Sequence, residues 1–124
     1  MSEDGSSLWQ SLGVAADRGQ LTLNAEAAGA CSRACTTFID KLKEHQAKAA
    51  DLANVEGLGS FESGKDLRRI FSEKAVGGPN NLFDVLQSHI DVVERMKAVF
   101  DKLFAATTEQ DEMNAVDLGQ REPR

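Results

Sequence analysis

The chain has no tyrosine, and its 124 residues include only two prolines and two cysteines. It also has no excess of positive charge, since 20 acidic and 14 basic residues give a formal net charge of −6. Nucleic acid and anionic lipid are both bound through basic surfaces, so this composition argues against either as a ligand. No apolar run approaches the roughly 20 residues of a membrane-spanning helix, and we expect no membrane span.

The start of the chain, Met1–Gly5, is acidic and polar, whereas a cleaved signal peptide begins with basic residues and an apolar stretch. We therefore expect a cytoplasmic protein that is exported, if at all, without a cleaved signal peptide. Its two cysteines, Cys31 and Cys35, are too few for the disulfide framework of a small secreted protein. The length is that of one domain.

Both ends of the chain differ in composition from its centre. Residues 1–20 are rich in serine, glycine and acidic residues, which indicates a flexible segment. Its one apolar island surrounds Trp9, which we expect to dock on the chain's own helices rather than on a partner. The central residues 21–112 read as a helical domain, and residues 113–124 as a flexible tail.

The first long helix is predicted over residues 24–54, with Asn24 as its N-cap. One stripe of positions recurs alternately every three and four residues, which is typical of an amphipathic helix with a charged outer face. The members of this stripe are Ala28, Cys31, Cys35, Phe38, Leu42, His45, Ala49 and Leu52.

A compact turn is predicted to follow. Gly57 is placed for a left-handed cap, Gly59 adds freedom to the turn, and Leu58 and Phe61 can close it with apolar contact. A short helix is then predicted over 64–75, capped by Ser63 and Asp66 and carrying Leu67, Ile70 and Phe71 on one side.

The second long helix is predicted over residues 81–110, capped by Asn81. Its main stripe has the same alternating spacing as that of the first helix. The members are Leu82, Leu86, His89, Val93, Met96, Phe100, Leu103 and Thr107. A second row, Val85, Val92 and Val99, repeats every seven residues beside it.

Two long amphipathic helices joined by a capped turn predict an all-α fold, an antiparallel helical hairpin with the short helix at the turn. The side chains expected between the long helices are Phe38, Leu42, Leu86, Val93, Met96 and Phe100. The second valine row would then face water, and soluble monomers seldom expose such a patch. We therefore expect Val85, Val92 and Val99 to form a partner interface, in a homodimer or in a heterodimer with a co-encoded hairpin. Either pairing would make a four-helix bundle.

A further resemblance rests on local runs of sequence. These runs are Leu58–Leu67, Ile70–Phe71, Lys74–Ala75, Val85–Leu86 and His89–Val92. They resemble a class of uncharacterised actinobacterial relatives. The chain length, the acidic balance, the absent signal peptide and the Gly-centred turn between two long amphipathic helices resemble the WxG-type early-secreted-antigen family, the substrates of type VII (ESX) secretion in actinobacteria. The resemblance implies a helical protein–protein interaction module that is secreted, or that pairs with a secreted hairpin.

Two positions depart from the family pattern. Its Trp-x-Gly turn is absent, and Leu58, Gly59 and Phe61 stand in its place. The family's export motif has a tyrosine followed four positions later by an acidic residue. Here Thr107 and Asp111 occupy the corresponding positions as a remnant of that motif, which suits a partner that lacks its own export signal.

No pattern of residues typical of catalysis or of a phosphate loop is present, so we expect neither an enzyme nor a bound cofactor or metal. Cys31 and Cys35 lie one turn apart and could form half of a metal site or a thiol switch, although small core residues are the stronger interpretation. His45 and His89 fall at similar heights in the hairpin and could act as a pH-sensitive pair. Two surface histidines paired with Glu44 or Asp91 are the simpler interpretation.

Three functions remain open on the sequence. The leading expectation is a substrate, or a substrate partner, of type VII secretion. The second is a cytosolic adaptor or chaperone for a co-encoded effector. The third is a thiol or metal sensor that uses the cysteines and histidines.

Overall fold

The computed structural model of the chain describes residues 2–121, and it describes side-chain surroundings for all of these except residues 2–4, 6, 114 and 117–121. Within this range the chain is all-α and contains no strand, so the predicted fold class is confirmed. The helices are α1 (Ser2–Asp17), α2 (Ala25–Leu52), α3 (Glu62–Ala75) and α4 (Leu82–Arg121).

The chain divides into two compact units, and α2 and α4 contribute to both. Unit 1 comprises the chain up to Thr36 and again from Val92 onward. It therefore contains α1, the start of α2 and most of α4. Unit 2 comprises Thr37–Asp91 and contains the rest of α2, the whole of α3 and the start of α4.

In unit 1 the core forms where α1, α2 and α4 meet. Its buried residues are Ala16, Ala28, Val99 and Leu103, and the side chains packed against them are Trp9, Leu12, Leu21, Leu23 and Phe100. The rings of Trp9 and Phe100 lie 5.9 Å apart between centroids and are tilted by 59°, a favourable aromatic arrangement. This confirms that the island around Trp9 docks on the chain's own helices.

Polar contacts join α2 to α4 in each unit. In unit 1 the hydroxyl of Ser32 donates a hydrogen bond of 2.5 Å to Oδ1 of Asp101. In unit 2 the side-chain amide of Gln46 donates to Oε1 of Gln87 at 3.0 Å and to the carbonyl of Phe83 at 3.3 Å. The residue later in α2 pairs with the residue earlier in α4, as expected of antiparallel helices.

Two of the three predicted N-caps are confirmed. Oδ1 of Asn24 accepts a hydrogen bond of 2.8 Å from the backbone N–H of Ala27. Asn81 is fully buried, and its Oδ1 accepts from the backbone N–H of Asp84 at 3.0 Å. The prediction of Ser63 as a cap is wrong, because α3 begins earlier and Phe61 precedes it without a side-chain hydrogen bond.

The N-terminal segment predicted to be flexible contains helix α1. Its apolar residues Trp9, Leu12 and Ala16 recur at helical spacing and pack in the core of unit 1. Burial of this one side stabilises the helix, although its composition is typical of a flexible segment. Helix α4 likewise extends to Arg121, through most of the predicted tail. The final residues 122–124 of that tail lie outside the described residues.

The stripe predicted for α2 is correct at every second position and off by one residue at the others. Ala28, Cys35, Leu42 and Ala49 are buried as expected, and between them lie Ser32, Ile39 and Gln46 rather than Cys31, Phe38 and His45. Phe38 is 52% exposed, so its prediction as a core residue is wrong. The shift has a physical cause, because Ser32 and Gln46 are polar but find hydrogen-bond partners on α4, which lets them be buried.

The stripe predicted for α4 is also only partly correct. Val93 and Leu103 are buried as predicted, whereas Leu86, Met96 and Phe100 are only half-buried. The predicted stripe members Leu82 and His89 are exposed. Ile90, the neighbour of His89, is the most deeply buried large apolar residue of unit 2.

Candidate interaction surface

The valine row expected to meet a partner is largely covered within unit 1. Val99 is only 2% exposed and belongs to the core, and Val92 is half-buried. Helix α1 provides the cover, because a β-carbon built at Gly5 would lie 3.7 Å from the side chain of Val92 and one at Gly13 would lie 3.8 Å from Val99. The prediction that this row is free for a partner is therefore wrong for Val92 and Val99, while Val85 in unit 2 is exposed.

An exposed apolar surface lies instead on α3. Only Gly64 and Ala75 of this helix are buried, so it packs on unit 2 through small residues. Its large apolar side chains, Leu67, Ile70 and Phe71, are each 44–52% exposed. About half of each of these three side chains is therefore open to solvent, beside the side of α3 that packs on unit 2.

The packing of α3 depends on the turn before it. Gly57 and Gly59 have φ values of +85° and +79°, in the left-handed region that favours glycine. Helix α2 ends earlier, at Leu52, so Gly57 does not cap it as predicted. The carbonyl of Leu58 closely approaches Gly64, where any β-carbon would collide with it. Phe61 does not close the turn as expected, because it is 81% exposed.

The charge on α3 is arranged around its apolar residues. Lys74 follows Leu67, Ile70 and Phe71 at the spacing that places all four on one side of a helix, and we call these four residues the α3 face. Arg69 lies outside this face and is 3.9 Å from Asp66 and 3.8 Å from Glu73, in loose and exposed ion pairs of little energetic weight. Lys74 has no ion-pair partner in the part of the chain that the structure describes.

A polar cavity of about 640 Å³ separates α3 from the segment that precedes it in unit 2. Its cationic wall consists of Lys65, Arg68 and Arg69, and Glu56 lies on the opposite loop. Sequence analysis identified neither this cluster nor the α3 face as a site. The available signal was the spacing of Leu67, Ile70 and Phe71, which places them on one side of the short helix.

Thr107 and Asp111, the positions that the family resemblance singles out, lie beside another cavity, of about 690 Å³, in unit 1. The hydroxyl of Thr107 donates a hydrogen bond of 2.7 Å to the carbonyl of Leu23, which fixes the loop between α1 and α2 to α4. Asp111 is exposed at the rim of this cavity, and Leu21 and Leu103 provide apolar lining. Thr107 thus makes a structural contact, while Asp111 remains accessible.

The cysteines lie on α2 in unit 1 and are both free thiols. Cys35 is buried, and its burial raises the pKa of the thiol, with smaller contributions in the same direction from Cys31 and Asp101 that Lys97 partly opposes. Cys31 is only half-buried. A raised pKa favours the unreactive thiol form, so the environment of Cys35 is that of a packed core residue.

The histidines His45 and His89 are both exposed in unit 2. The carboxylates expected beside them, Glu44 and Asp91, instead pair with a lysine and a glutamine of their own helices. Among the described residues, no group of three or more histidine, cysteine or acidic side chains is arranged to hold a metal ion. In the same residues, no helix is long and apolar enough to cross a membrane.

The fold and this surface define an all-α helical bundle protein with an apolar helix face open to solvent. Comparison with protein-family models, curated proteins and solved structures found no match to the chain.

Proposed function

We propose that this protein is a helical protein–protein interaction module that binds its partner through the α3 face. The observation that carries the proposal is the partial exposure of Leu67, Ile70 and Phe71 together on a helix whose buried residues, Gly64 and Ala75, are both small. Apolar patches of this kind mark interaction sites in soluble proteins, and three clustered large side chains can serve as anchors for a partner helix.

Unit 2 has further exposed apolar side chains outside α3. Leu82 and Val85 are each 42% exposed on α4, and Phe38 and Leu52 are exposed on α2. Exposed single apolar residues are ordinary, but their concentration in the unit that contains the α3 face supports binding there.

Site-specific crosslinking in cells tests the proposal. A photoreactive amino acid at Ile70 should form a covalent adduct with a defined partner, whereas the same amino acid at Val14, which is similarly exposed on α1, should not. The purified partner should then bind the wild-type protein in calorimetry and bind the Ile70→Glu variant at least about tenfold more weakly, as expected for loss of a central anchor. Equal binding to both proteins, with the helical spectrum of the variant intact, would contradict the proposal.

A narrower form of the proposal follows the family resemblance, in which the partner is another hairpin and the pair uses type VII secretion. The antiparallel packing of α2 and α4 supports it, as does the exposed Asp111 of the motif remnant. The test compares the tagged protein in the culture medium of strains with and without an active type VII system. Equal amounts in both media, from cells that have not lysed, would contradict export by the type VII system. The protein would then be a cytosolic adaptor, the other form of the interaction proposal.

A further inference from the structure

A second exposed helix face lies near the end of α4, in unit 1. Met113 and Val116 are 61% and 60% exposed, and Glu109 and Glu112 are exposed beside them. These four positions follow the spacing of one helix side, and we call them the α4 end face. It combines two apolar side chains with two carboxylates that have no ion-pair partner among the described residues.

The α4 end face and the α3 face match in length and pattern. Each contains positions separated by three, four and seven residues, so each extends over about 10 Å of helix at 1.5 Å per residue. The α3 face has three apolar residues and Lys74, and the α4 end face has two apolar residues and two glutamates. In the α3 face the apolar residues come first and Lys74 comes last, whereas in the α4 end face the two glutamates come first and Met113 and Val116 come last. Placed antiparallel, the two faces bring their apolar ends together and set Lys74 beside the glutamates.

We propose that the α4 end face of one copy of this protein docks on the α3 face of a second copy. This inference rests on the proposed function and names the partner as the chain itself. Burial of Met113 and Val116 against Leu67, Ile70 and Phe71 supplies the attraction, and Lys74 set against Glu109 and Glu112 determines the orientation. Both faces are exposed within the single chain, so both are open to a second copy.

The contact joins two different surfaces, and every copy carries both of them. Two copies can therefore exchange contacts reciprocally and close as a dimer, or successive copies can extend into a longer assembly. A single contact between two short faces falls below the about 1,200 Å² of stable interfaces, so the association is weak and its detection requires concentrated protein.

Charge reversal gives a sharp test by sedimentation velocity over a range of concentrations. The Lys74→Glu variant and the Glu109→Lys/Glu112→Lys variant should each self-associate about tenfold more weakly than wild type, because like charges then face each other. An equal mixture of the two variants should regain wild-type association, since both reciprocal contacts again pair opposite charges. Raising the salt concentration should weaken the wild-type assembly.

A matched control reverses one lysine outside both faces. Lys48 is exposed on α2, and the Lys48→Glu variant should associate like wild type. A wild-type protein that stays monomeric up to about 500 µM, a concentration at which even weak complexes form, would overturn the inference. Association that Lys74→Glu leaves unchanged, or that the mixture fails to restore, would overturn it as well.

These outcomes are separable from failure of the proposed function. A monomeric protein whose photoreactive variant at Ile70 still captures a different protein would remove self-docking and leave the interaction module in place. A protein that self-associates by the charge-dependent contact, with Ile70 crosslinking only to other copies of the chain, would support both.

Discussion

Asp101 is the residue whose ionisation the fold affects most clearly. Its carboxylate accepts hydrogen bonds from Ser32 at 2.5 Å and from Lys97 at 2.9 Å. The bond from Ser32 first, and that from Lys97 second, hold the pKa of Asp101 below its ordinary value. Because the folded state prefers the ionised form more than the unfolded state does, protonation of Asp101 opposes folding.

This gives a prediction of pH dependence with a definite sign. The stabilisation from Asp101 is present above the unfolded-state pKa of about 3.9 and is lost as the pH falls through the lower pKa of the folded state. Acidification from pH 6 to pH 3 should therefore lower the urea midpoint of the wild-type protein more than that of Asp101→Asn. Glu94→Gln, an exposed change on the same helix, should behave like wild type, and identical losses in all three proteins would contradict the assignment.

The two adjacent residues Phe38 and Ile39 distinguish the predicted core from the observed one. Ile39→Ala should lower the free energy of unfolding by about 2–5 kcal/mol, because it leaves a cavity in unit 2. Phe38→Ala should cost less than about 1 kcal/mol, since half of the ring already contacts water. Chemical denaturation of both variants measures the difference. A larger loss for Phe38→Ala than for Ile39→Ala would support the buried face that was predicted from the sequence.

The cysteines should differ in reactivity. Cys35 is buried and its pKa is raised, whereas Cys31 is half-buried, so a thiol reagent should modify Cys31 faster in the folded protein. Labelling of Cys31→Ser and Cys35→Ser separately measures each rate, and full unfolding in urea should remove the difference. Faster labelling of Cys35 in the native state would indicate a reactive site rather than a core residue.

At the scale of single residues, the sequence indicated half of the α2 stripe correctly and a smaller share of the α4 stripe. Hydrophobicity alone favours Cys31 and His45 over Ser32 and Gln46 as interior residues. The structure buries the two polar residues because each meets a partner on α4, and no pattern within α2 reveals such a partner. Because hydrogen bonds between helices can bury polar residues, the spacing of hydrophobic residues alone does not identify every buried position of a helix.

Among the elements, α3 depends on a single glycine. A β-carbon at Gly64 would collide with the carbonyl of Leu58, so Gly64→Ala must displace either the turn or the helix. We expect a loss of about 1–3 kcal/mol, comparable with overpacking of a core. Gly13→Ala on α1 is the matched control, because its β-carbon would meet only ordinary contacts and should gain up to about 1 kcal/mol from helix propensity.

Thermal unfolding of both glycine variants provides the measurement. A lower melting temperature for Gly64→Ala and an equal or higher one for Gly13→Ala would support the close approach of the turn to α3. Equal effects in both variants would show that the helices tolerate a side chain at either place, and that α3 is not held by this contact.

The long helices and two of their caps follow from the sequence, whereas α1 and the extension of α4 do not. Long stripes repeat often enough to identify α2 and α4, and Asn24 and Asn81 mark their starts. The stripe of α1 includes only Trp9, Leu12 and Ala16, and its composition is typical of a loop. Its helix depends on packing against α4, which is a tertiary effect that local composition cannot show.

For the molecule as a whole, stability should differ among the helices. Helix α3 buries only Gly64 and Ala75, whereas α2 and α4 bury residues in the cores of both units. Local opening should therefore release α3 at a lower free energy than the centres of the long helices. Hydrogen exchange followed by mass spectrometry should show faster exchange in 62–75 than in 35–49, and equal rates would mean that α3 belongs to the main cooperative core.

The candidate site also belongs to this larger scale, because exposure of the α3 face cannot be inferred from the α3 sequence alone. The same apolar spacing would be expected of a helix that buries Leu67, Ile70 and Phe71 in its own unit. Which side of α3 meets the core is decided by the approach of the Leu58 carbonyl to Gly64, a contact between non-adjacent segments. The apolar spacing of α3 is therefore visible in the sequence, whereas the side of the helix that faces solvent is not.

The two polar pairs between α2 and α4 also restrict how these helices can slide past each other. Ser32 and Gln46 are 14 residues apart on α2, and their partners Asp101 and Gln87 are 14 residues apart on α4, in reverse order. A slip by seven residues would keep apolar positions opposite apolar positions, so hydrophobic contact alone specifies the alignment weakly. The same slip would separate both polar pairs at once and take these partners from the buried side chains of Ser32 and Gln46, while Asp101 and Gln87 would keep their contacts with Lys97 and Asp91. The pairs thus select one register from a series of nearly equivalent ones, and their replacement by alanine should broaden the native state into several alignments.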